Sequence, residues 1–282
     1  MREDKFNFPH KTVDPTNTQS LRAALKKEAM FSPANHVLLS NYFFMREFLQ
    51  QMAAEEKGLI IDGSTSYPMH AKPYRIPTDM DLKSTSPNRV LELIRHIADS
   101  ERDATYTVGG VAVTSNNVAQ TSIEADLHGF RGRFNIDIVP DESFSSQILT
   151  MKKIVSTDVL FDMRTVGFDE TIANKIESIL NKLNSPQNPY FRIKDFYDIF
   201  MLCQGNEPNR QLISAYLNEM IARKGSSRDA LKRTQANLSG IVAPTQNAMW
   251  EAFKKKNEVA PEIEVAEVVR HTKNLIDEIE LK

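Results

Sequence analysis

Three aspartates lie in two short apolar segments whose pattern would bring their carboxylates together. Asp79 and Asp81 alternate with apolar residues in "DMDL", and Asp137 is flanked by isoleucines in "NIDIV". Successive side chains of a β-strand point to opposite faces, so the three carboxylates share one sheet face if the two strands are neighbours. Such a cluster is unfavourable unless cations neutralise it, and carboxylate oxygens favour Mg²⁺ or Mn²⁺. The spacing therefore predicts a metal site suited to phosphoryl transfer, with these three aspartates as ligands.

A Gly-Ser step upstream is a candidate phosphate site. Gly63 and Ser64 directly follow the apolar segment "LIID"; glycine lets backbone N–H groups approach an anion, and the serine hydroxyl adds a donor. Arg75, ahead of the D-x-D pair, has two open roles, a phosphate contact or an ion pair with a carboxylate. Residues 65–78 form a predicted substrate-facing loop. Each feature alone is common in ordinary turns and exposed strand ends, but their order predicts a nucleotide site for an NTP.

The elements that must position these residues form an α+β front half. One helix is predicted between a cap at Ser32 with Pro33 in its first turn and a stop at Gly58, and a second from Pro87 to about Arg102. The segments "LIID" and "DMDLKS" predict two strands, and "YTVGGVAVT", "TSIEADL" and "RFNIDIV" predict several more. This order indicates a small mixed sheet with helices on one face.

The back half of the chain has a helical pattern. Beyond Asp158 the strand signal largely disappears, and apolar residues recur at helical spacing. We predict an N-terminal domain over residues 1–157 and an all-α C-terminal domain over residues 158–282. The predicted helices of the second domain span residues 169–184, 190–204, 211–224, 226–239, 245–257 and 261–281.

Two of these helices carry charged residues near their apolar faces. Lys175 lies at the margin of an apolar stripe, so it either binds nucleotide phosphates or is a surface lysine whose stem covers apolar neighbours. Asp195 and Asp198 are three residues apart and share a helix face. They either position Lys175 or the nucleotide, or they form a solvated face with Arg192 and Lys194 as partners.

Other polar residues have simpler interpretations. His70 and His128 have no partners recognisable in the sequence, so each is read as an ordinary surface or packing histidine. The segment "VGGV" at 108–111 interrupts a strand pattern, which favours a bulge or close backbone packing over a phosphate loop. Two basic clusters are solvated helix faces in most proteins but would contact phosphates in an enzyme that acts on RNA. They comprise Lys254, Lys255 and Lys256, and Arg228, Lys232 and Arg233.

Composition narrows the class of protein. The 282 residues carry 35 basic and 37 acidic side chains, so the net charge of −2 indicates no global field for nucleic acid. A single cysteine, Cys203, cannot form an internal disulfide, which predicts a reduced, intracellular protein. No run approaches the roughly 20 apolar residues of a membrane helix. We therefore expect a cytoplasmic protein without a membrane partner.

The ordered pattern "IIDGSTS…YRIPTDMDL…NIDIV" resembles the nucleotidyltransferase fold, and more narrowly the AbiEii toxin family. Further along the chain, "DETIANKIESIL" is similar to that family's lysine-helix motif and "RIKDFYDIF" to its aspartate-helix motif. The four motifs span roughly residues 37 to 202. One departure is the spacing of fourteen residues between Ser64 and Asp79, which is longer than the family's usual loop.

The resemblance implies a metal-dependent nucleotidyltransferase toxin that transfers NMP from an NTP to an acceptor, RNA such as the tRNA 3′ end, and releases pyrophosphate. It implies catalytic roles for Asp79, Asp81, Lys175 and Asp195, nucleotide contacts from Gly63, Ser64, Arg75 and Lys175, and metal binding by Asp79, Asp81 and Asp137. It also implies a cognate antitoxin. Two alternatives remain open: a nucleotidyltransferase for small molecules such as antibiotics, and a non-catalytic nucleotide-binding protein.

Overall fold

A computed structural model describes most of the chain and divides it into two compact units, Met1–Val166 and Gly167–Lys282. The division falls after Val166, whereas the sequence pattern placed it after residue 157. The described residues are 19–20, 23–25, 36–71, 74–100, 102–114, 118–143, 145–153, 159–183, 193–236, 238, 245–257 and 262–282.

The described part of the N-terminal unit contains helices and strands whose bounds are as follows. The helices are α1 (His36–Glu55), α2 (Gly63–His70) and α3 (Pro87–Asp99). The strands are β1 (Ile60–Asp62), β2 (Asp79–Ser84), β3 (Thr105–Val108), β4 (Ala112–Val113), β5 (Ala119–Leu127), β6 (Phe130–Pro140), β7 (Ser146–Thr150) and β8 (Asp162–Val166). The predicted first helix is confirmed, although its expected start at Ser32 and Pro33 lies outside the described residues.

All eight strands belong to one mixed sheet. Its order is β3-β5-β6-β2-β1-β8-β7, and β4 pairs with β5 away from this path. Two pairings are parallel, β2 with β6 and β1 with β8, and the others are antiparallel. The predicted α+β class with a mixed sheet is therefore confirmed.

One face of the central strands builds the hydrophobic core. Met80, Leu82, Ile136 and Ile138 are fully buried within this core, and α1 packs against β6. Aromatic rings reinforce this packing, with Phe48 of α1 lying 5.8 Å from the Phe134 ring of β6. Because side chains alternate along a strand, the residues between the apolar ones point to the opposite face.

Residues 65–78 differ from the predicted substrate-facing loop. Residues 63–70 form the helix α2, and all of them except Gly63 are buried. The prediction was wrong because "GSTSYP" has turn-forming residues and no helical apolar stripe, so its helix depends on tertiary burial rather than on local propensity. Residues 72 and 73 lie outside the described part of the chain.

The expectation that strands end before Asp158 is also wrong. Residues 162–166 form β8, which pairs with β1 in parallel and with β7 in antiparallel orientation. Both β7 and β8 are short, and neither shows the strict alternation of apolar and polar residues that marks a half-buried strand. Non-local pairing rather than local pattern specifies these strands.

The C-terminal unit is helical, as predicted. Its elements are α4 (Phe168–Leu183), α5 (Ile193–Leu202), α6 (Arg210–Lys224), α7 (Arg228–Ala236), α8 (Thr245–Asn257) and α9 (Val265–Asp277). The helix α4 packs against α5, α6 and α7, and α5 packs against α9. The predicted helix starts at residue 190 and Pro261 lie outside the described residues. Within the ranges that the structure describes, no helix is both long and apolar enough to cross a membrane.

Candidate active site

The two strands that carry the three aspartates are direct neighbours, which is the condition on which the predicted shared face depended. In the parallel pairing of β2 with β6, Asp81 is the register partner of Asp137, and Asp79 is the partner of Asn135. The apolar residues between them are buried in the core, so the carboxylates lie on the opposite face. Neighbouring strands are about 4.8 Å apart, which places Asp81 and Asp137 close enough for strong mutual repulsion.

A fourth carboxylate and a lysine on this face were not predicted. Asp62 of β1 is the register partner of Asp81, and its Oδ2 lies 3.0 Å from Nζ of Lys83. Lys83 follows Asp81 by two residues and therefore shares its face. The alternation along "DMDLK" could have predicted this position from the sequence. Asp62 could not be assigned from sequence because its position depends on the β1–β2 register. The Lys83 ammonium offsets part of the negative charge on this face.

Gly63 is required by the space that Asp81 occupies. Its φ of +59° lies in the left-handed region, and a Cβ at this position would lie 1.8 Å from Oδ2 and 3.0 Å from Cβ of Asp81. A side chain here would therefore displace the whole Asp81 side chain. The Gly-Ser step predicted as a phosphate site is in direct contact with one of the predicted metal ligands.

Hydroxyl groups at the start of α2 hold Asp79. The Ser64 hydroxyl donates to Oδ1 of Asp79 at 3.4 Å, and the Thr65 hydroxyl donates to the Asp79 backbone carbonyl at 2.5 Å. Both hydroxyl-bearing residues are buried. Asp79 is also approached by the Thr78 hydroxyl, whose oxygen lies 3.2 Å from Oδ1. These contacts fix the first aspartate of the D-x-D pair relative to Gly63.

The Asp137 carboxylate accepts hydrogen bonds from Gln120 of β5, a residue that the sequence analysis did not identify. Nε2 of Gln120, the register partner of Asp137 on β5, lies 3.1 Å from both Oδ1 and Oδ2 of this carboxylate. The two residues line a cleft of about 340 Å³. Its lining comprises Asp79, Gly110, Gln120, Thr121, Ser122, Asn135 and Asp137.

Gly109 shows the close backbone packing predicted for "VGGV". Its backbone N–H donates to the Ser122 carbonyl at 2.8 Å, and an added Cβ would lie 2.5 Å from the Ser122 hydroxyl oxygen. The pair Gly109 and Gly110 separates β3 from β4, and both strands pair with β5.

His70, the last residue of α2, and Arg75 are both buried. The Arg75 guanidinium lies 5.3 Å from the centroid of the Tyr67 ring, a cation–π contact within the N-terminal unit. Burial lowers the pKa of His70 to about 4, and Nε2 lies 3.5 Å from the Thr165 hydroxyl. His70 is thus a neutral packing histidine at physiological pH, as expected from the sequence, whereas His128 is exposed.

The C-terminal unit contains a buried charge cluster. Nζ of Lys175 on α4 lies 2.7 Å from Oδ1 of Asp195 and 3.1 Å from Oδ2 of Asp198 on α5. Both carboxylate side chains have no exposed surface, and that of Lys175 is 15% exposed. The surface-lysine and solvated-face alternatives are therefore wrong. Asp198, whose role the sequence left open, also forms an ion pair with Lys175.

The carboxylates of the N-terminal unit suit a hard divalent cation. Among the described residues, no three acidic, histidine or cysteine side chains form a ready-made metal cage. Mg²⁺ is usually bound by one or two carboxylates together with waters and substrate phosphates, so a complete protein cage is not needed. The oxygen donors, their shared sheet face and the cradle that Gly63 leaves for Asp81 fit this mode of binding.

Sequence comparison identifies the family of this protein. The chain belongs to the AbiEii family of nucleotidyltransferase toxins, because residues 47–271 match the family described as "Nucleotidyl transferase AbiEii toxin, Type IV TA system". It is therefore a member of a nucleotidyltransferase toxin family of type IV toxin–antitoxin systems. A comparison with curated proteins finds no significant match.

Solved structures are similar to this chain at low sequence identity. The crystal structure of JHP933 from Helicobacter pylori is 12% identical, with a TM-score of 0.52 over 86% of this chain and 93% of that one. A structure described as "putative nucleotidyltransferase from H. pylori" is also 12% identical, with a TM-score of 0.48 over 85% and 94% of the two chains. The likeness to JHP933 shows that the two chains share a fold.

Replacing Gly63 tests the contact with Asp81. We expect Gly63→Ala to lower the free energy of unfolding by roughly 3 kcal/mol, the sum of left-handed backbone strain and overpacking against Asp81. Gly225→Ala is a matched control, because Gly225 has φ +62° but a Cβ there would meet nothing within 4 Å. It should cost only about 1 kcal/mol of strain. Equal losses for both variants in urea unfolding would contradict the Asp81 contact.

Replacing Lys175 tests the buried charge cluster. Lys175→Met leaves the Asp195 and Asp198 carboxylates without this cation, so we expect the free energy of unfolding to fall by about 3–5 kcal/mol. Lys273→Met is the control, since Lys273 pairs with the part-exposed Asp277 one turn away on α9, and should cost less than about 1 kcal/mol. Denaturant titrations measure both values. A loss for Lys175→Met no larger than that of the control would argue against the cluster.

Proposed function

We propose that this protein is a metal-dependent nucleotidyltransferase that transfers NMP from an NTP to an RNA acceptor, such as the tRNA 3′ end, and releases pyrophosphate. The observation that carries the proposal is the register of β2 and β6, which sets Asp81 beside Asp137 on the face that Gly63 borders. In a toxin of the AbiEii family, such transfer would stop translation, and a cognate antitoxin is the expected partner.

The site residues of the N-terminal unit have distinct proposed roles. Asp79 and Asp81 would hold Mg²⁺ or Mn²⁺, with Asp137 as the third ligand. The backbone at Gly63 and Ser64 borders the phosphates of the NTP, and the hydroxyl of Ser64 keeps Asp79 in place. A contact of Arg75 with the nucleotide stays a prediction; its guanidinium lies over the Tyr67 ring of α2. The role of Lys175 and Asp195 in positioning the nucleotide stays a prediction that rests on the family resemblance.

The reaction is an in-line displacement at the α-phosphorus. The oxygen of an acceptor hydroxyl forms a bond to this phosphorus while the bond to the β-phosphate oxygen breaks, and pyrophosphate leaves. Asp137 accepts the proton of the hydroxyl at a carboxylate oxygen, and the Gln120 amide holds that carboxylate from the neighbouring strand. A bound divalent cation supplies charge stabilisation at the phosphoryl oxygens.

An exposed basic surface on α7 favours RNA over a small acceptor. Arg228, Lys232 and Arg233 are exposed, and no ion pair to any of them is found in the described ranges. Such side chains are suited to phosphate contacts along a nucleic-acid backbone. The second predicted cluster is weaker, because Lys254 pairs with Glu251 at 2.9 Å and is 15% exposed.

Transfer assays test the proposed function. Purified protein incubated with each labelled NTP, Mg²⁺ and total tRNA should place label on RNA. Asp81→Asn should lower the rate by about 100-fold or more, because it removes a carboxylate that would hold the divalent cation beside the reacting phosphate. Asp103→Asn, at an exposed position outside the site, should transfer label at the wild-type rate.

The product of the wild-type enzyme distinguishes the alternatives. Label found only on a small molecule, when the RNA is supplemented with aminoglycosides, would contradict the RNA acceptor and favour a small-molecule nucleotidyltransferase. Absence of transfer to any acceptor with all four NTPs would contradict the enzymatic proposal and favour a nucleotide-binding protein.

A further inference from the structure

The cleft beside Asp137 has an uncharged end, and the proposed chemistry uses only Gln120 of its residues. We propose that Gly110, Gln120, Ser122 and Asn135 form a subsite for the terminal nucleoside of the acceptor RNA. The inference rests on the proposed function and goes beyond it, because it says which part of the substrate occupies this end of the cleft. We refer to these four residues as the acceptor subsite.

Strand register brings the acceptor subsite next to the reacting groups. Gln120 is the partner of Asp137, and Ser122 is the partner of Asn135 in the antiparallel pairing of β5 with β6. Asn135 is in turn the partner of Asp79 across the parallel pairing. The polar side chains of β5 and β6 therefore continue the sheet face that carries the aspartates, away from Gly63.

The acceptor subsite has hydrogen-bonding capacity that the fold does not consume. In the described part of the chain, neither the Ser122 hydroxyl nor the Asn135 amide makes a side-chain hydrogen bond. Gln120 donates to Asp137 through Nε2, and no hydrogen bond to its Oε1 is found among the described residues. Hydroxyl and amide groups both donate and accept, which suits the hydroxyls of a ribose and the polar edge of a base.

Electrostatics indicates which part of a nucleic acid enters this end. The cleft lining includes two carboxylates, Asp79 and Asp137, and no lysine or arginine. A phosphate seated at the uncharged end would therefore gain no ion pair from a side chain of the cleft, whereas an uncharged nucleoside needs none. The volume of about 340 Å³ is at the lower end of the range for small-molecule pockets, about 300–1,000 Å³.

The position of Asp137 favours the acceptor rather than the incoming NTP. A hydroxyl of a nucleoside seated on Gln120, Ser122 and Asn135 would adjoin the carboxylate proposed to take its proton. The triphosphate is assigned to the other side of the carboxylates, where Gly63 and Ser64 border Asp81 and Asp79. The two substrates thus approach the aspartates from opposite directions along the sheet face.

Gly110 allows a direct test because it lines the cleft and no other atoms pack against the position of its missing side chain. A Cβ added at Gly110 would meet nothing within 4 Å, in contrast to one at Gly109. A large side chain at Gly110 is therefore compatible with the fold but would fill the acceptor subsite. Val113, an exposed residue of β4 outside the cleft lining, provides a control for the same substitution.

The experiment measures both substrates separately in Gly110→Trp and Val113→Trp. We expect Gly110→Trp to raise the KM for acceptor RNA by about tenfold or more, equivalent to 1.4 kcal/mol. The dissociation constant of NTP with Mg²⁺, measured without acceptor, should stay within about twofold of the wild-type value. Val113→Trp should change neither value. Asn135→Ala, which removes an exposed amide without adding bulk, should also raise the KM for RNA.

Each contrary result is separable from failure of the proposed function. If wild-type protein transfers label to RNA and both variants of the subsite keep the wild-type KM, the inference is wrong while the function stands. If Gly110→Trp weakens NTP binding as much as RNA binding, the cleft end belongs to the nucleotide and the inference is likewise wrong. If the wild type labels no RNA, the proposed function fails first and the inference fails with it.

Discussion

The parallel pairing of β2 with β6 brings Asp81 beside Asp137, and this juxtaposition of like charges is the constraint on which the site depends. Burial of apolar side chains on the other face of the same strands offsets the free-energy cost of this repulsion. Met80, Leu82, Ile136 and Ile138 are fully buried, and each such side chain contributes about 1.5–3 kcal/mol by leaving water. A shift of the register by one residue would place the aspartates in the core. The hydrophobic core therefore fixes the position of the carboxylates.

Several groups around the carboxylates reduce their freedom or their repulsion. Lys83 forms an ion pair with Asp62 on the same face, Gln120 holds Asp137, and hydroxyls of α2 hold Asp79. Gly63 leaves the space into which Asp81 fits. The site is thus positioned before any substrate binds, which is the condition for electrostatic stabilisation of a reacting phosphate.

Alternation along two strands was enough to predict which residues share the site's face, because a period of two depends only on local sequence. The α+β class and the helical second half followed from similar patterns. Asp62 and Gln120 could not be found in this way, since their places depend on pairing between strands distant in sequence. The helix α2, the strand β8 and the buried state of Asp198 depend in the same way on tertiary packing, which local propensity does not encode.

Binding of Mn²⁺ followed by electron paramagnetic resonance tests most directly whether the carboxylate face holds a metal together with a nucleotide. With a non-hydrolysable analogue of each NTP in turn, wild-type protein should bind Mn²⁺ markedly more tightly with at least one analogue than without nucleotide. Asp81→Asn should abolish this gain. Equal Mn²⁺ binding by the wild type and Asp81→Asn in the presence of every analogue would contradict the account.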